Sequence, residues 1–262
     1  LEKNMNIVAI VQARLNSSRF PEKVLKKIYN QTIVQIINNK LKNSNQIDKV
    51  VFAIPKNSKE KKLYTHLMKI NANIFRGNEK DVLDRYYKAA KENNAKIIVR
   101  ITSDCPLIDT RLINKMIYFF KKNRFDYISN TIVPTYPDGL DVEIFTLNSL
   151  KYAWNKAKTK LDREHVTKYL LESNSIKKYN IKNNKDFSNF RWTVDTKIDF
   201  KIVKTIYAKF MSQKKFNLEK AVNYCLKNKF LQKNNFLKRN YKLLSKSNLM
   251  WDRAKKFIPG AI

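Results

Sequence analysis

Three short runs, IVAIV (Ile7–Val11), VVFAI (Val50–Ile54) and IIVRI (Ile97–Ile101), are almost wholly apolar and rich in β-branched residues. Runs of that length and continuity suit strands covered on both faces, because a strand with one wet face alternates apolar with polar residues. Between them the apolar spacing becomes helical: Ile33, Val34, Ile36, Ile37 and Leu41 share one face, as do Val82, Leu83, Tyr86, Ala89 and Ala90. Strand, helix and strand in succession predict an α/β fold with a mainly parallel central sheet flanked by helices. Further strands are expected at Asp126–Ser129, Asp141–Phe145 and in an apolar run ending at Asp195. Further helices are expected at Leu112–Phe120, Ser149–Ala157 and Val166–Leu171. Ligands of such sheets gather beyond the carboxyl ends of the strands, so the polar residues just after each strand are the first candidates for chemistry.

Composition narrows the class. The 262 residues carry 54 Lys plus Arg against 22 Asp plus Glu, a formal charge of +32. Clustered cations gain affinity for nucleic acid by releasing phosphate counter-ions, but these lysines are spread through every segment among asparagines, with no basic stripe and no reader motif. The charge reads as a solvated surface, and no specific nucleic-acid partner is expected. Cys105 and Cys225 are too few for a disulfide framework. No run of about 18 apolar residues or signal-like N-terminal stretch occurs, so a cytoplasmic protein without a membrane partner is expected. Composition shifts near residue 230. Residues 5–230 read as one domain, and 231–262 opens as a polar, basic linker.

The loop after the first run carries Arg14, Arg19 and Lys23. Forked guanidinium groups and a compact ammonium suit a polyphosphate, although a merely solvated basic loop fits the same spacing. Asp104, after the Ile97–Ile101 run, and Asp195, after RWTV, are each placed to serve as an oxygen ligand for phosphate-bound Mg²⁺ or to cap the next helix. Asp109 reads as such a cap. Asp138, Asp141 and Glu143 gather around Gly139, and Asp162, Arg163, Glu164 and His165 around a helix start. Acids concentrated in so basic a chain suggest recognition of a polar substrate. Turn and helix-start roles compete at each position. Neither His66 nor His165 has a second histidine at metal-ligand spacing, and no serine or cysteine shows a nucleophile elbow.

Together the blocks VQARLNSSRFPEKVL, FRGNEKDVLDRYYKAA, VRITSDCPLID, YISNTIVPTYPDGLDVEIF, DREHVT and RWTVDT resemble the SpsF-like spore-coat-polysaccharide cytidylyltransferases, relatives of the enzymes that activate Kdo and sialic acids. The resemblance runs from about Met5 to Phe210. It implies a Rossmann-like, GT-A-related nucleotidyltransferase fold and Mg²⁺-dependent transfer of CMP from CTP, with pyrophosphate released. The acceptor would be a sugar acid, sugar phosphate or polyol phosphate, and the setting surface polysaccharide biosynthesis. It implies Arg14, Arg19 and Lys23 on the CTP phosphates, Asp104 and Asp195 on Mg²⁺, and Arg76, Asp81 and Arg85 near base and ribose. Asp138, Asp141, Glu143, Arg163 and His165 would face the acceptor, and a homodimer is expected from the family. The opening loop departs from the family in carrying Asn16 and Glu22 where glycines are usual. The tail SNLMWDRAKKFIPGAI resembles the start of a glutamate-1-semialdehyde-type, PLP-dependent aminotransferase, which would make the protein bifunctional. A non-catalytic nucleotide-binding module fused to an aminotransferase is the competing reading.

Overall fold

The structure is a computed structural model that describes residues 5–210 and 216–234. In chain order its strands are β1 Ile7–Gln12, β2 Lys27–Ile28, β3 Gln31–Thr32, β4 Lys49–Pro55, β5 Asn73–Gly77, β6 Ile97–Thr102, β7 Tyr127–Ser129, β8 Glu143–Thr146 and β9 Lys178–Asn180. Its α-helices are α1 Ile33–Lys42, α2 Lys61–Lys69, α3 Val82–Glu92, α4 Thr110–Lys122, α5 Leu147–Lys156, α6 Lys160–Glu164, α7 Lys168–Glu172, α8 Lys197–Phe210 and α9 Leu218–Leu226.

Seven strands form one sheet in the order β5-β4-β1-β6-β8-β7-β9, and β2 and β3 make a separate two-residue ribbon. Of the neighbouring pairs, β6–β8 and β7–β8 are antiparallel and the others parallel, so β8 alone runs against the sheet. The continuous apolar runs are explained by the two layers they feed. Ile7, Ala9 and Val11 of β1, with Phe52 and Ile54 of β4, pack into the layer holding α1, α4 and α8. Val8 and Ile10, with Val51 and Ala53, pack into the layer holding α3 and α5. Successive side chains point to opposite faces, so a strand covered on both sides has no polar position to spare. Across the second layer the Tyr86 hydroxyl of α3 donates to the Ile10 carbonyl (3.1 Å), fixing the helix on the sheet.

The five expected short strands are present, but β8 begins at Glu143, leaving Asp141 in the preceding loop. The run ending at Asp195 is corrected. It is irregular backbone with an isolated bridge, Arg191 to Asp138, and not a strand. Two sheet strands without apolar runs, β5 (NIFRG) and β9 (KYN), lie at the sheet's two edges, where partial exposure leaves only a weak apolar signal. Within the stretch expected to be linker, the 3₁₀ turn Lys229–Gln232 and the buried Leu231 and Asn234 pack onto the body. The aminotransferase-like tail lies outside the described residues. No described helix is long and apolar enough to cross a membrane.

Candidate active site

From the carboxyl end of β1 the chain leaves the sheet through the loop expected to bind phosphate. Ala13, Leu15, Phe20 and Val24 are buried and pin it, while Arg14 and Arg19 stay exposed. The Leu15 amide donates to both oxygens of the Glu60 carboxylate (3.2 and 2.9 Å). Burial pushes the Glu60 carboxyl above its usual value, against the pull of that amide and of Arg85 and Arg14 nearby. Nothing in the segment KNSKEKK distinguishes Glu60 from a surface glutamate; only the fold turns it inward. The departure at Glu22 has a backbone meaning. Its φ of 53° is left-handed, a region that glycine enters without steric cost, and its carboxylate is held by Lys62 (2.6 Å). Asn16 is not among the positive-φ residues.

Lys23, opening the 3₁₀ turn Lys23–Leu25, reaches Asp104 at the start of the loop after β6 and Asp195 four residues after the Arg191 bridge. Its Nζ donates to Asp104 Oδ2 (2.9 Å) and Asp195 Oδ1 (2.7 Å). Backbone bonds bring the two aspartates together, because the Val194 amide donates to the Asp104 carbonyl (2.8 Å). Burial alone would raise the Asp104 carboxyl; the charge and hydrogen bond of Lys23 outweigh it and hold the group below its ordinary value. Burial likewise opposes the Lys23 charge, and the two aspartates overcome it and raise the ammonium's pKa.

Neither aspartate is a helix cap. At the start of α8 that role falls to Asp199, whose Oδ2 accepts from the amides of Asp195 (3.0 Å) and Thr196 (2.8 Å), while Thr196 Oγ1 accepts from the Asp199 amide (3.2 Å). This reciprocal cap leaves the Asp195 carboxylate free to face Lys23. Asp109 does cap α4, accepting from the Arg111 amide (2.9 Å).

Arg191 is the hub that sequence reading missed. Its guanidinium reaches Asp138 (2.8 Å), Asp195 (2.6 Å) and Asp199 (3.5 Å), and Arg19 adds a contact to Asp195 at 3.2 Å. Gly139 permits the bridge that brings Asp138 there: with φ at 112°, a Cβ on it would lie 2.5 Å from the Trp192 backbone. Lys40, from α1, donates to the carbonyls of Pro106 (2.9 Å) and Ile108 (3.0 Å) and so ties down the loop that presents Asp104. Burial pushes its amine down to about 7, against the pull of Asp109.

The remaining expected residues divide among other partners. Arg76 lies over the Tyr64 ring (5.0 Å), and the buried Arg85 donates to the carbonyls of Asn78 and Glu79, clasping the turn after β5. Asp81 caps α3 and pairs with Arg163 of α6 (2.6 Å). Glu143 is buried against Arg100 (2.7 Å), which also donates to Gln12 (3.0 Å). His165 ends α6, with Arg100 among the charges it feels, and burial lowers its pKa so that the ring is neutral near pH 7. Asp141 lies close enough to Cys105 to raise that thiol's pKa, together with burial and Asp104.

A cavity of about 510 Å³ opens beyond β4 and β5, lined by Lys56, Phe75, Arg76, Gly77, Asn78, Glu79, Asp84 and Lys88. It excludes Lys23 and both aspartates. Sheet order therefore ranks three features along the carboxyl edge: the cavity at β5 and β4, the basic loop after β1, and Asp104 after β6. At ~4.8 Å per strand the row spans roughly 14 Å.

The described residues contain no group of three or more His, Cys, Asp or Glu that could hold a metal by themselves. The donor set still fits a Mg²⁺ that arrives with phosphates. One oxygen from each of two carboxylates converges on a single cation position, which Lys23 Nζ marks, and such an ion completes its shell with substrate oxygens and water.

Comparison with known proteins bears on family and fold. The pattern of the cytidylyltransferase family matches residues 8–241. A cytidylyltransferase structure from Leptospira borgpetersenii superposes with a TM-score of 0.82 at 31% identity, covering 88% of this chain and 98% of that one. The spore coat polysaccharide biosynthesis protein SpsF of Bacillus subtilis is 28% identical over 214 residues, 78% of this chain and 87% of the relative. CMP:2-keto-3-deoxy-manno-octonic acid synthetase complexed with CTP shares the fold, with a TM-score of 0.60 at 14% identity over 78% of this chain and 99% of that one.

Proposed function

The chain belongs to the cytidylyltransferase family, and from that premise we propose that it transfers CMP from CTP to a sugar acid, sugar phosphate or polyol phosphate and releases pyrophosphate. The observation that carries this reading is the row along the sheet edge. A nucleoside triphosphate with its base in the cavity bordered by Arg76 would run through its ribose to an α-phosphate facing Asp104 and Asp195, with the β- and γ-phosphates turned back over Arg14, Arg19 and Lys23. Guanidinium groups that are exposed and lightly paired are available for phosphate oxygens, and the buried Ala13, Leu15 and Phe20 pin the loop that carries them.

In this reading the acceptor oxygen attacks the α-phosphorus in line and the bond to the β-phosphate oxygen breaks. Such transfers need positioning and charge neutralisation rather than a covalent nucleophile. Arg14, Arg19 and Lys23 would bind the phosphates and stabilise the departing pyrophosphate. Asp104 and Asp195 would hold Mg²⁺, which when bound supplies charge neutralisation at the transferring phosphate. Asp138, Asp141 and His165 would contact the acceptor, and Glu143 and Arg163 would shape its pocket through Arg100 and Asp81. A role in surface polysaccharide biosynthesis, a homodimeric assembly and a following aminotransferase unit belong to the same proposal, supported by the family and by the tail.

The test is a pyrophosphate-release screen of CTP and other nucleotides against ulosonic acids, sugar phosphates and polyol phosphates. One acceptor giving CTP-dependent release is expected. CTP binding without release across the whole panel would leave a binding module instead.

A further inference from the structure

Lys23 does something that contact with phosphates does not require: its ammonium stands between Asp104 and Asp195, 2.9 and 2.7 Å from one oxygen of each. We propose that Lys23 is a built-in counter-ion for this carboxylate pair, which keeps a divalent cation out until the nucleotide's phosphates draw the ammonium away. The proposal rests on the nucleotidyl-transfer reading above, since it concerns the order in which that site fills.

Geometry makes the two cations mutually exclusive. A Mg²⁺ ion sits at about 2.1 Å from its carboxylate oxygens, and one bound to these two oxygens overlaps the position held by Nζ. Burial makes the exchange costly for a bare ion. The Lys23 side chain is only 13% exposed, so an ammonium pushed off the aspartates without a new partner is left poorly solvated and unpaired. Charge balance points the same way. Among the described residues, the ion pairs connect Asp104, Asp138, Asp195 and Asp199 with Lys23, Arg19 and Arg191, one negative charge in excess. A divalent ion added to that set overshoots neutrality, whereas without the Lys23 charge the same set carries two negative charges, which a divalent ion cancels. A triphosphate resolves the conflict by offering the ammonium other oxygens, and the unbranched lysine stem can swing to them from its turn at the end of the phosphate loop. Nucleotide and metal are then coupled, each raising the affinity of the other by the same factor.

The experiment is titration of Mn²⁺, as the probe ion, into the protein with and without CTP, read by electron paramagnetic resonance. Wild type is compared with Lys23→Met and Lys23→Gln. Without nucleotide both variants bind Mn²⁺ about tenfold or more tightly than wild type, within the roughly 5–150-fold range of ordinary coupling, and CTP improves their Mn²⁺ affinity less. Adding Asp195→Asn to Lys23→Met removes the gained binding; if the gain survives, the ion sits elsewhere and the proposal falls. Suppose the variants melt like wild type and bind nucleotide-free Mn²⁺ no better, while wild type holds Mn²⁺ with CTP. The counter-ion role is then wrong and the transfer reading stands. If no form retains Mn²⁺ even with CTP, the metal assignment of the two aspartates fails and takes this proposal with it. Should Lys23→Met fold poorly, Lys23→Gln, which keeps a donor for the carboxylates, carries the comparison.

Discussion

Lys23, Asp104 and Asp195 come from distant parts of the chain and pair with one another, whereas Glu143, Arg163 and His165 each answer to a different neighbour. Glu143 is matched to Arg100, Arg163 to Asp81, and His165 closes the short helix α6. The first end is anchored to central strands whose side chains fill both core layers. A loop leaving such a strand has little freedom, so its polar residues converge. The second end is built from an antiparallel strand, loops and five-residue helices, where polar side chains spend their hydrogen bonds holding the elements to each other.

The strongest way to break this contrast is to remove the hub behind the first end. Arg191→Met removes the cation shared by Asp138, Asp195 and the fully buried Asp199 and should destabilise the protein by about 3–5 kcal/mol, measured by urea unfolding. A loss under about 1 kcal/mol would show that the cluster does not hold the segment that carries Asp195.

Next in size, Asp104→Ala and Asp195→Ala should each lower pyrophosphate release by roughly 100-fold or more, with the fold kept as judged by circular dichroism. Near-normal turnover of Asp104→Ala with its acceptor would remove that residue from the reaction. The same end has a pH signature. Asp104 lies below its ordinary 3.8 in the folded state, so its contribution is complete above that value and fades as pH falls through the folded pKa. Lys23 lies above its ordinary 10.5, so its contribution is complete below that value and fades as pH rises through the folded pKa. The stability difference between wild type and Lys23→Met should accordingly be flat from about pH 5 to 10 and change on either side.

At the second end, a double-mutant cycle on Arg163→Ala and Asp81→Ala should return a coupling of about 0.5–3 kcal/mol in stability. A coupling near zero would make the pair incidental and free Arg163 for the acceptor. Glu22→Gly is the mildest change. It relieves a left-handed backbone at the cost of an exposed ion pair, and thermal melting should show an unchanged or slightly raised midpoint; a clear fall would mean that the Lys62 pair outweighs the strain.

Much of the fold was legible because burial on both faces writes itself into sequence: β1, β4 and β6 appear as unbroken apolar runs, and Arg14, Arg19, Lys23 and Asp104 follow where such strands end. Edge strands β5 and β9, half exposed, carry too few apolar residues to be seen. The competing cap readings of Asp104 and Asp195 were beyond a linear reading as well, since Asp199 and Thr196 take the cap at α8 only after α8 has formed.

The amino-acid sequence by itself determined the layered α/β architecture and the polar loops at its carboxyl edge, because local apolar periodicity reports directly on which faces lose water. Tertiary structure alone decided that Lys23 bridges two aspartates, that Arg191 binds three carboxylates together, and that Glu60 braces the basic loop after β1. Most of those pairings join residues far apart in the chain, and charge partnership at that separation depends on where packed strands and helices place each backbone, which no short-range pattern encodes.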